Sequence, residues 1–339
     1  MKVASGLVAG QRADAELAGA AVEAALASAG LSRADNVILF LSREFSRQPQ
    51  PAVLAAARAA GCLAVCGCTA NGLFTERGWQ LDQPAAAALV FATEGTSLTS
   101  ADSPLLSFSG HGRLPFEWHQ GKARVGLIDT DAAAWSHGRN SDNGCAEFRL
   151  PGLHGRLIRS SGLRPLGEPL PVEQRSGYEL RRLGGHSALD SLRRVLPAEW
   201  RERLPLHLLS VLRQADAPGI ALLSANADGS LTLAEALSEG ELITWAIRQP
   251  LGAEQEIRQA LSTALDQSQK PDFALMFSCI GRGPLFYGND DRDLVAFRDT
   301  FPDTPLLGAY GTGQIAPLAG HNELFNNTAL TLLFESAHV

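Results

Sequence analysis

Three short stretches of the sequence concentrate residue types able to bind or react. FSCIGRG (Phe277 to Gly283) closes an apolar run on Cys279 and then sets Arg282 between two glycines. Glycines beyond the carboxyl end of a strand let backbone N–H groups approach an anion. A guanidinium there can grip a carboxylate or phosphate through two parallel hydrogen bonds. Pairing with an internal Asp or Glu is the alternative role for Arg282. GCTANG (Gly67 to Gly72) and GAYGTGQIAP (Gly308 to Pro317) are the other two stretches, each an apolar strand running into a glycine-rich bend. With the amides of Asn326 and Asn327, the three stretches nominate twelve ligand contacts. These are Cys68, Thr69, Asn71, Cys279, Gly281, Arg282, Gly283, Tyr310, Thr312, Gln314, Asn326 and Asn327.

Other chemistries fit the residues less well. Gly311 to Ala316 spells G-x-G-x-x-A after a strand, but Pro317 and Gly320 interrupt the helix that would have to hold a pyrophosphate. Neither bend carries the Lys-Ser/Thr of a P-loop, so nucleotide binding is not expected. A nucleophilic Cys279 needs a base within reach and a lowered pKa. The histidines, His111, His119, His137, His154, His186, His207, His321 and His338, form no local Cys/His or paired-ligand signature. A buried, inert thiol is therefore expected, and no catalytic residue is assigned. Cys62, Cys66 and Cys68 alternate along one face of a strand without the paired spacing and fourth ligand of a structural zinc site. They are expected to be small core hydrophobes, and no metal is expected. One histidine is sufficient to ligate haem iron, and the sequence singles out none.

The elements that must position these residues occur twice. MKVASGLVAG is followed by an Ala-rich helical stretch, Asp14 to Ala29. ELITWAIRQP (Glu241 to Pro250) is followed by a helix whose Ile257, Ala260, Leu261, Ala264 and Leu265 fall on one face. NVILFLS (Asn36 to Ser42) matches FALMFSC (Phe273 to Cys279), LAAAR (Leu54 to Arg58) matches LVAFR (Leu294 to Arg298), LAVCGCTANG matches PLLGAYGTG, and AAALVF (Ala86 to Phe91) matches ALTLLF (Ala329 to Phe334). The order β-α-β-α-β-turn-β predicts an α/β (α+β) fold of two similar β-sheet modules flanked by helices, related by a weak internal repeat and enclosing a cleft. Between the repeats the chain is rich in strands broken by Gly and Pro. Ser107 to Gly121 and Asp131 to Gly144 read as loops. The domain boundary is expected in PAEWRERLP (Pro197 to Pro205), giving modules 1–200 and 201–339.

Composition narrows the class. The 339 residues are 45% hydrophobic and 19% charged, enough for packed cores and unlike a disordered chain. A net charge of −7 argues against a dedicated nucleic-acid binder, and no apolar stretch reaches the ~20 residues of a membrane span. Five cysteines are neither a disulfide framework nor an even set, so a reducing, cytoplasmic setting is expected. The N-terminus reads as a first strand and not as a signal peptide.

On these residues the chain resembles a FIST-domain protein, with FIST N-terminal and FIST C-terminal regions in tandem. AD-x-V-x-L-F (Ala34 to Phe40), GCTANG and Ser161 to Leu189 carry the N-terminal resemblance. FSCIGRG, GAYGTGQIAP and FNNTALTLLF (Phe325 to Phe334), in that order, carry the C-terminal one. The sequence departs from the family's pattern at Gln314, where Glu is usual, and at His186, often Pro. The segment from Ser107 to Gly144 matches nothing in the family's pattern. The resemblance implies a sensory, signal-transduction module and not an enzyme. Its ligand would be a small molecule, such as an amino acid or small carboxylate, held between the two modules. It also implies an alternative, a haem-bound nitric-oxide sensor acting on a partner histidine kinase, while the residues themselves leave a Cys279-dependent enzyme as a rival reading. A protein-interaction scaffold is a further reading. No fused kinase, cyclase or F-box is expected in this length, so output would pass through another signalling protein.

Overall fold

The structure, a computed structural model, describes residues 1–92, 104–150, 153–214, 216–267 and 270–336. The chain forms two compact units, Met1–Ser160 with Ile257–Val339, and an insertion, Ser161–Glu256.

In the first unit, the leading repeat comprises β1 (Lys2–Ala9), α1 (Glu16–Ala29), β2 (Asn36–Ser42), α2 (Gln50–Ala60), β3 (Val65–Ala70), the hairpin β4 (Gly72–Thr75) and β5 (Gly78–Leu81), and β6 (Ala85–Ala92). β7 (Leu105–Ser109), β8 (Arg124–Ile128), β9 (Ala134–Ser136), β10 (Arg139–Asn140), β11 (Cys145–Arg149) and β12 (Leu153–Ser160) follow. The segments Ser107–Gly121 and Asp131–Gly144, expected as loops, thus contain strand residues of β7, β9 and β10. Their strands are short and polar at the ends, which hides them from a periodicity argument.

The inserted unit holds β13 (Leu163–Ser176), β14 (Glu179–Leu183), β15 (His186–Ser187), α3 (Ala188–Val195), β16 (Leu209–Leu212), β17 (Ile220–Ala225), β18 (Leu231–Leu233) and β19 (Leu242–Arg248). β13 is long enough to pair with both β19 and β14, which closes the order β13-β19-β16-β17-β18-β14 into an antiparallel barrel. Val172, Leu180, Val211, Leu222, Leu231, Ile243 and Trp245 fill its core. The boundary expected at Pro197–Pro205 falls inside this unit, around a 3₁₀ turn at Ala198–Trp200; the unit borders lie at Ser160/Ser161 and Glu256/Ile257.

α4 (Pro250–Gln267) leads back into the second repeat: β20 (Phe273–Cys279), α5 (Pro284–Tyr287), α6 (Arg292–Thr300), β21 (Leu306–Gly311), β22 (Gly313–Leu318), β23 (His321–Phe325) and β24 (Ala329–Ser336). The internal repeat is real in three dimensions. One sheet runs β1-β6-β2-β3 and the other β12-β24-β20-β21, each with an antiparallel, antiparallel, parallel sequence of pairings. The counterpart of β1 is therefore β12, not β19, whose ELITWAIR resembles it more. β19 belongs to the barrel.

β2, β3 and β20 are apolar throughout because both faces of their sheets are covered. On the outer faces, α1 and α2 pack against Val37, Leu39, Val65 and Val90, and α4 and α6 against Ala274, Met276 and Leu333. The inner faces meet in one cluster that includes Phe40, Phe91, Phe108, Phe273, Phe277 and Phe334. Ring centroids lie 6.0 Å apart for Phe40–Phe277 and 5.8 Å for Phe91–Phe273. The expected cleft between the repeats is thus a packed interior. Deleting a ring from such a core costs about 3–5 kcal/mol. Phe277→Ala is accordingly expected to lower unfolding free energy in urea by that amount.

The ends of the insertion are also joined locally. Glu256 accepts backbone N–H bonds from Ser161 (3.1 Å) and Gly162 (2.6 Å). A closed sheet with adjacent ends has the features of an autonomous domain. A fragment spanning residues 161–256 should unfold cooperatively on heating, followed by circular dichroism. A gradual, non-cooperative signal would show that it depends on the rest of the chain.

Candidate functional site

The two glycine-rich bends are single-residue crossings between sheets. β3 ends at Ala70, Asn71 bends, and β4 joins the second repeat's sheet by pairing with β21, Gly72 opposite Tyr310. β21 ends at Gly311, Thr312 bends, and β22 pairs with β8 in a further sheet, β11-β7-β8-β22-β23. Strand registers place Ser42 opposite Ala70 and Cys279 opposite Gly311, so Asn71 and Thr312 are equivalent positions in the repeat. The crossings meet. The Asn71 N–H donates to the Tyr310 carbonyl at 2.9 Å, and the Thr312 hydroxyl donates to the Ile128 carbonyl at 3.3 Å.

Asp129, at the end of β8, sits where they converge. Asn71 Nδ2 donates to its Oδ2 at 2.6 Å, the Thr130 N–H donates to Oδ1 at 2.8 Å, and Thr312 is a further hydrogen-bond neighbour. Burial raises its carboxyl above the ordinary value, and these donors oppose the rise. A concavity of about 600 Å³ opens above it, at the carboxyl ends of the parallel pair β2 and β3. Its walls are Arg43, Glu44, Ser46 and Arg47 after β2, Thr69, Ala70 and Asn71 at the end of β3, and Asp129 to Ala132. Thr69 is fixed by a 2.9 Å hydroxyl pair with Ser46 and by accepting the Ala133 N–H at 2.9 Å. Cations, a buried carboxylate and neutral donors therefore share one small space beyond strand ends, where α/β sheets gather ligands.

Of the nominated residues, Thr69 and Asn71 line this concavity. Cys68 lies beneath it in the core, its thiol pushed well up by burial and by the charge of Asp129. Arg43, Arg47 and Asp129 were not singled out by motif. The available signal was the position of Arg43 directly after the apolar run NVILFLS, with Arg47 four residues further on, and of Asp129 directly after VGLI.

The equivalent end of the second repeat is packed shut. Arg282 is fully enclosed. Its Nε and Nη2 bind Asp293 at 2.8 and 3.0 Å, and Nη1 and Nη2 bind the Ser160 carbonyl and hydroxyl, each at 2.7 Å. Both members of the ion pair are 1% exposed. The internal-pairing role of Arg282 is thus the one realised. Tyr287 donates to Asp293 at 2.8 Å, and Tyr310 donates to Asp291, which also caps α6 through the Leu294 N–H. Gly283 lies against the Tyr310 ring, and a Cβ on Gly281 would stand 2.9 Å from Asn327 Oδ1. Asn327 itself holds a left-handed φ of 56°. The buried Cys279 thiol faces the Thr312 carbonyl at 3.7 Å. Gln314 is fully buried with both amide atoms unpaired among the described residues, while Asn326 is exposed.

Residues 188–317 match the FIST C domain, a signalling domain to which small-ligand binding is attributed. The match includes FSCIGRG and GAYGTGQIAP and spans part of both units. An uncharacterised protein of Mycobacterium tuberculosis is 31% identical over 206 residues, covering 57% of this chain and 54% of that protein. One from Mycobacterium bovis is 31% identical over 206 residues, covering 57% and 53%. The chain spans about half the length of the curated relatives it matches.

Two predictions follow from the closed end. Arg282→Ala strands the Asp293 carboxylate in the core and should cost about 3–5 kcal/mol in urea unfolding. Burial, and then the neighbouring Asp293 charge, raises the Asp291 carboxyl above its ordinary value of 3.8. The fold holds that proton more tightly than the unfolded chain, so the ionised form costs stability above that value and the cost fades as pH falls. Asp291→Asn, which keeps the cap, should stabilise the protein relative to wild type at pH ~7.5, and the gain should shrink by pH ~4.

Proposed function

We propose that the chain is a small-ligand-binding sensory protein whose ligand is taken by the concavity above Asp129. The observation that carries this reading is that charges of both signs share one space, with Arg43, Glu44, Arg47 and Asp131 on the walls and the buried Asp129 below. Two guanidinium groups suit a carboxylate, and a buried carboxylate suits an ammonium group. Ser46, Thr69 and Asn71 add neutral hydrogen-bonding groups. A free α-amino acid has both charges at the right scale, and a small carboxylate would use the arginines alone.

The matched FIST C domain supports the sensory reading. We assign the leading half, whose strand order repeats the second half, as the N-terminal partner of a FIST pair. Output would pass to another signalling protein, a histidine kinase being the partner class the family resemblance implies. We read the protein as cytoplasmic; among the described residues no helix is long and apolar enough to cross a membrane.

The haem reading finds less support. His111 and His119 share a wall with Arg113, Glu117 and Asn143, and His111 Nε2 lies 2.7 Å from the Asn143 carbonyl. His338 falls outside the described residues. His111 and His119 are both exposed, and the His111 ring is already engaged by the Asn143 carbonyl. A Cys279-dependent enzyme would need a thiol open to substrate, and this one is buried.

Thermal unfolding in the presence of each common amino acid and of small dicarboxylates tests the proposal. The active compound should raise the midpoint with concentration, stabilising by about 2.7 kcal/mol at a hundredfold excess over Kd. Arg43→Ala and Asp129→Asn should each abolish the rise. An amino-acid ligand should also bind more weakly as acid protonates Asp129, in a range above that of an exposed carboxylate. No response to any of these compounds at millimolar concentration would overturn the reading.

A further inference from the structure

The segment between the repeats builds a second concavity, of about 470 Å³, lined by residues other than those above Asp129. Its lining combines an apolar side, Leu114, Pro115 and Phe116, with His111, Arg113 and His119. Phe116 is 91% exposed. The His119 ring lies 6.4 Å from it, tilted by 59°.

The turn that carries Phe116 is held in place from behind. It is a 3₁₀ turn, Phe116–Trp118, anchored by one buried side chain, Asn322 of β23. Asn322 Nδ2 donates to the carbonyls of Trp118 (2.8 Å) and Lys122 (3.0 Å). Its backbone N–H donates to the His119 carbonyl at 2.9 Å, and its Oδ1 accepts the Arg124 N–H at 2.9 Å. Trp118 is buried, with the Arg124 guanidinium 5.5 Å from its ring centroid. This buried, fully hydrogen-bonded amide fixes the backbone of the turn that carries Phe116. Arg113, also exposed, has no acceptor for its guanidinium among the described residues.

We infer that this concavity is a binding site for a small planar aromatic carboxylate. The ring of the ligand covers Phe116 and packs on Leu114 and Pro115. Its carboxylate meets Arg113, with His111 and His119 at the rim. Ring and anion are both required: the apolar wall alone would take any hydrocarbon, and the arginine alone any anion. Glu117 on the same wall disfavours a ligand of higher negative charge.

Isothermal titration of the full chain with 1-naphthoate, 1-naphthalenemethanol and acetate tests the assignment. Naphthoate should bind with one-to-one saturation, the alcohol at least tenfold more weakly, and acetate not measurably. Arg113→Ala should reduce naphthoate to the affinity of the alcohol, and Phe116→Ala should weaken both aromatic probes at least tenfold. Both replaced side chains are solvent-exposed, so unchanged melting curves will show that the variants remain folded. Arg298→Ala, an exposed arginine on α6, should leave naphthoate affinity at the wild-type value. Absence of saturable naphthoate binding, equal affinity for the alcohol, or wild-type affinity in either pocket variant would overturn the proposal.

Discussion

The first unit depends on two sheets sealed against each other through apolar side chains. The aromatic cluster of Phe40, Phe91, Phe108, Phe273, Phe277 and Phe334 leaves the space between the repeats with no room for a ligand. Burying groups of this size is the dominant favourable contribution to such a fold. It also dictates where chemistry can occur. A polar side chain pointing inward costs free energy unless it is paired, and the groups of the proposed site lie instead at the strand ends. There Asn71 and Thr312 carry the chain from sheet to sheet and Asp129 receives them.

The two halves use the same backbone plan for opposite purposes. At the first strand end, Arg43 and Arg47 stay exposed and the floor is a carboxylate with small hydrogen-bonding neighbours. At the second, Arg282 is drawn inside and locked to Asp293 and Ser160, with the two tyrosines closing around the acidic pair. Buried ion pairs add little net stability but are expensive to break, because either partner alone is left charged in a poor solvent. The second end is thereby committed to structure. The first end, by contrast, stays open, and it is there that the proposed ligand site lies.

Much of this plan is legible in the sequence, for a physical reason. NVILFLS and FALMFSC are buried on both faces, so their composition is nearly invariant and they announce themselves as strands. The convergence of the two glycine bends is legible as well, because both follow such strands. The partner of β1 is not. β1 and β12 are edge strands with partly exposed residues, and edges tolerate almost any pattern. ELITWAIR looks more like β1 only because it too is half apolar. Nor does any motif mark Arg43 or Asp129. Each is an ordinary residue just beyond a strand, and only the crossing of chains at Asn71 and Thr312 gives it neighbours. Arg282 shows the converse: an arginine in a glycine turn looks like a ligand contact until Asp293, eleven residues later, is found beside it.

Hydrogen–deuterium exchange, compared without ligand and with the amino acid or dicarboxylate that most raises the melting point, tests the location of the site most directly. Protection confined to peptides covering residues 43–47, 69–71 and 129–132 is the outcome required by a site at the ends of β2 and β3. Protection centred instead on residues 277–283 and 326–328, with none at 43–47, would contradict it.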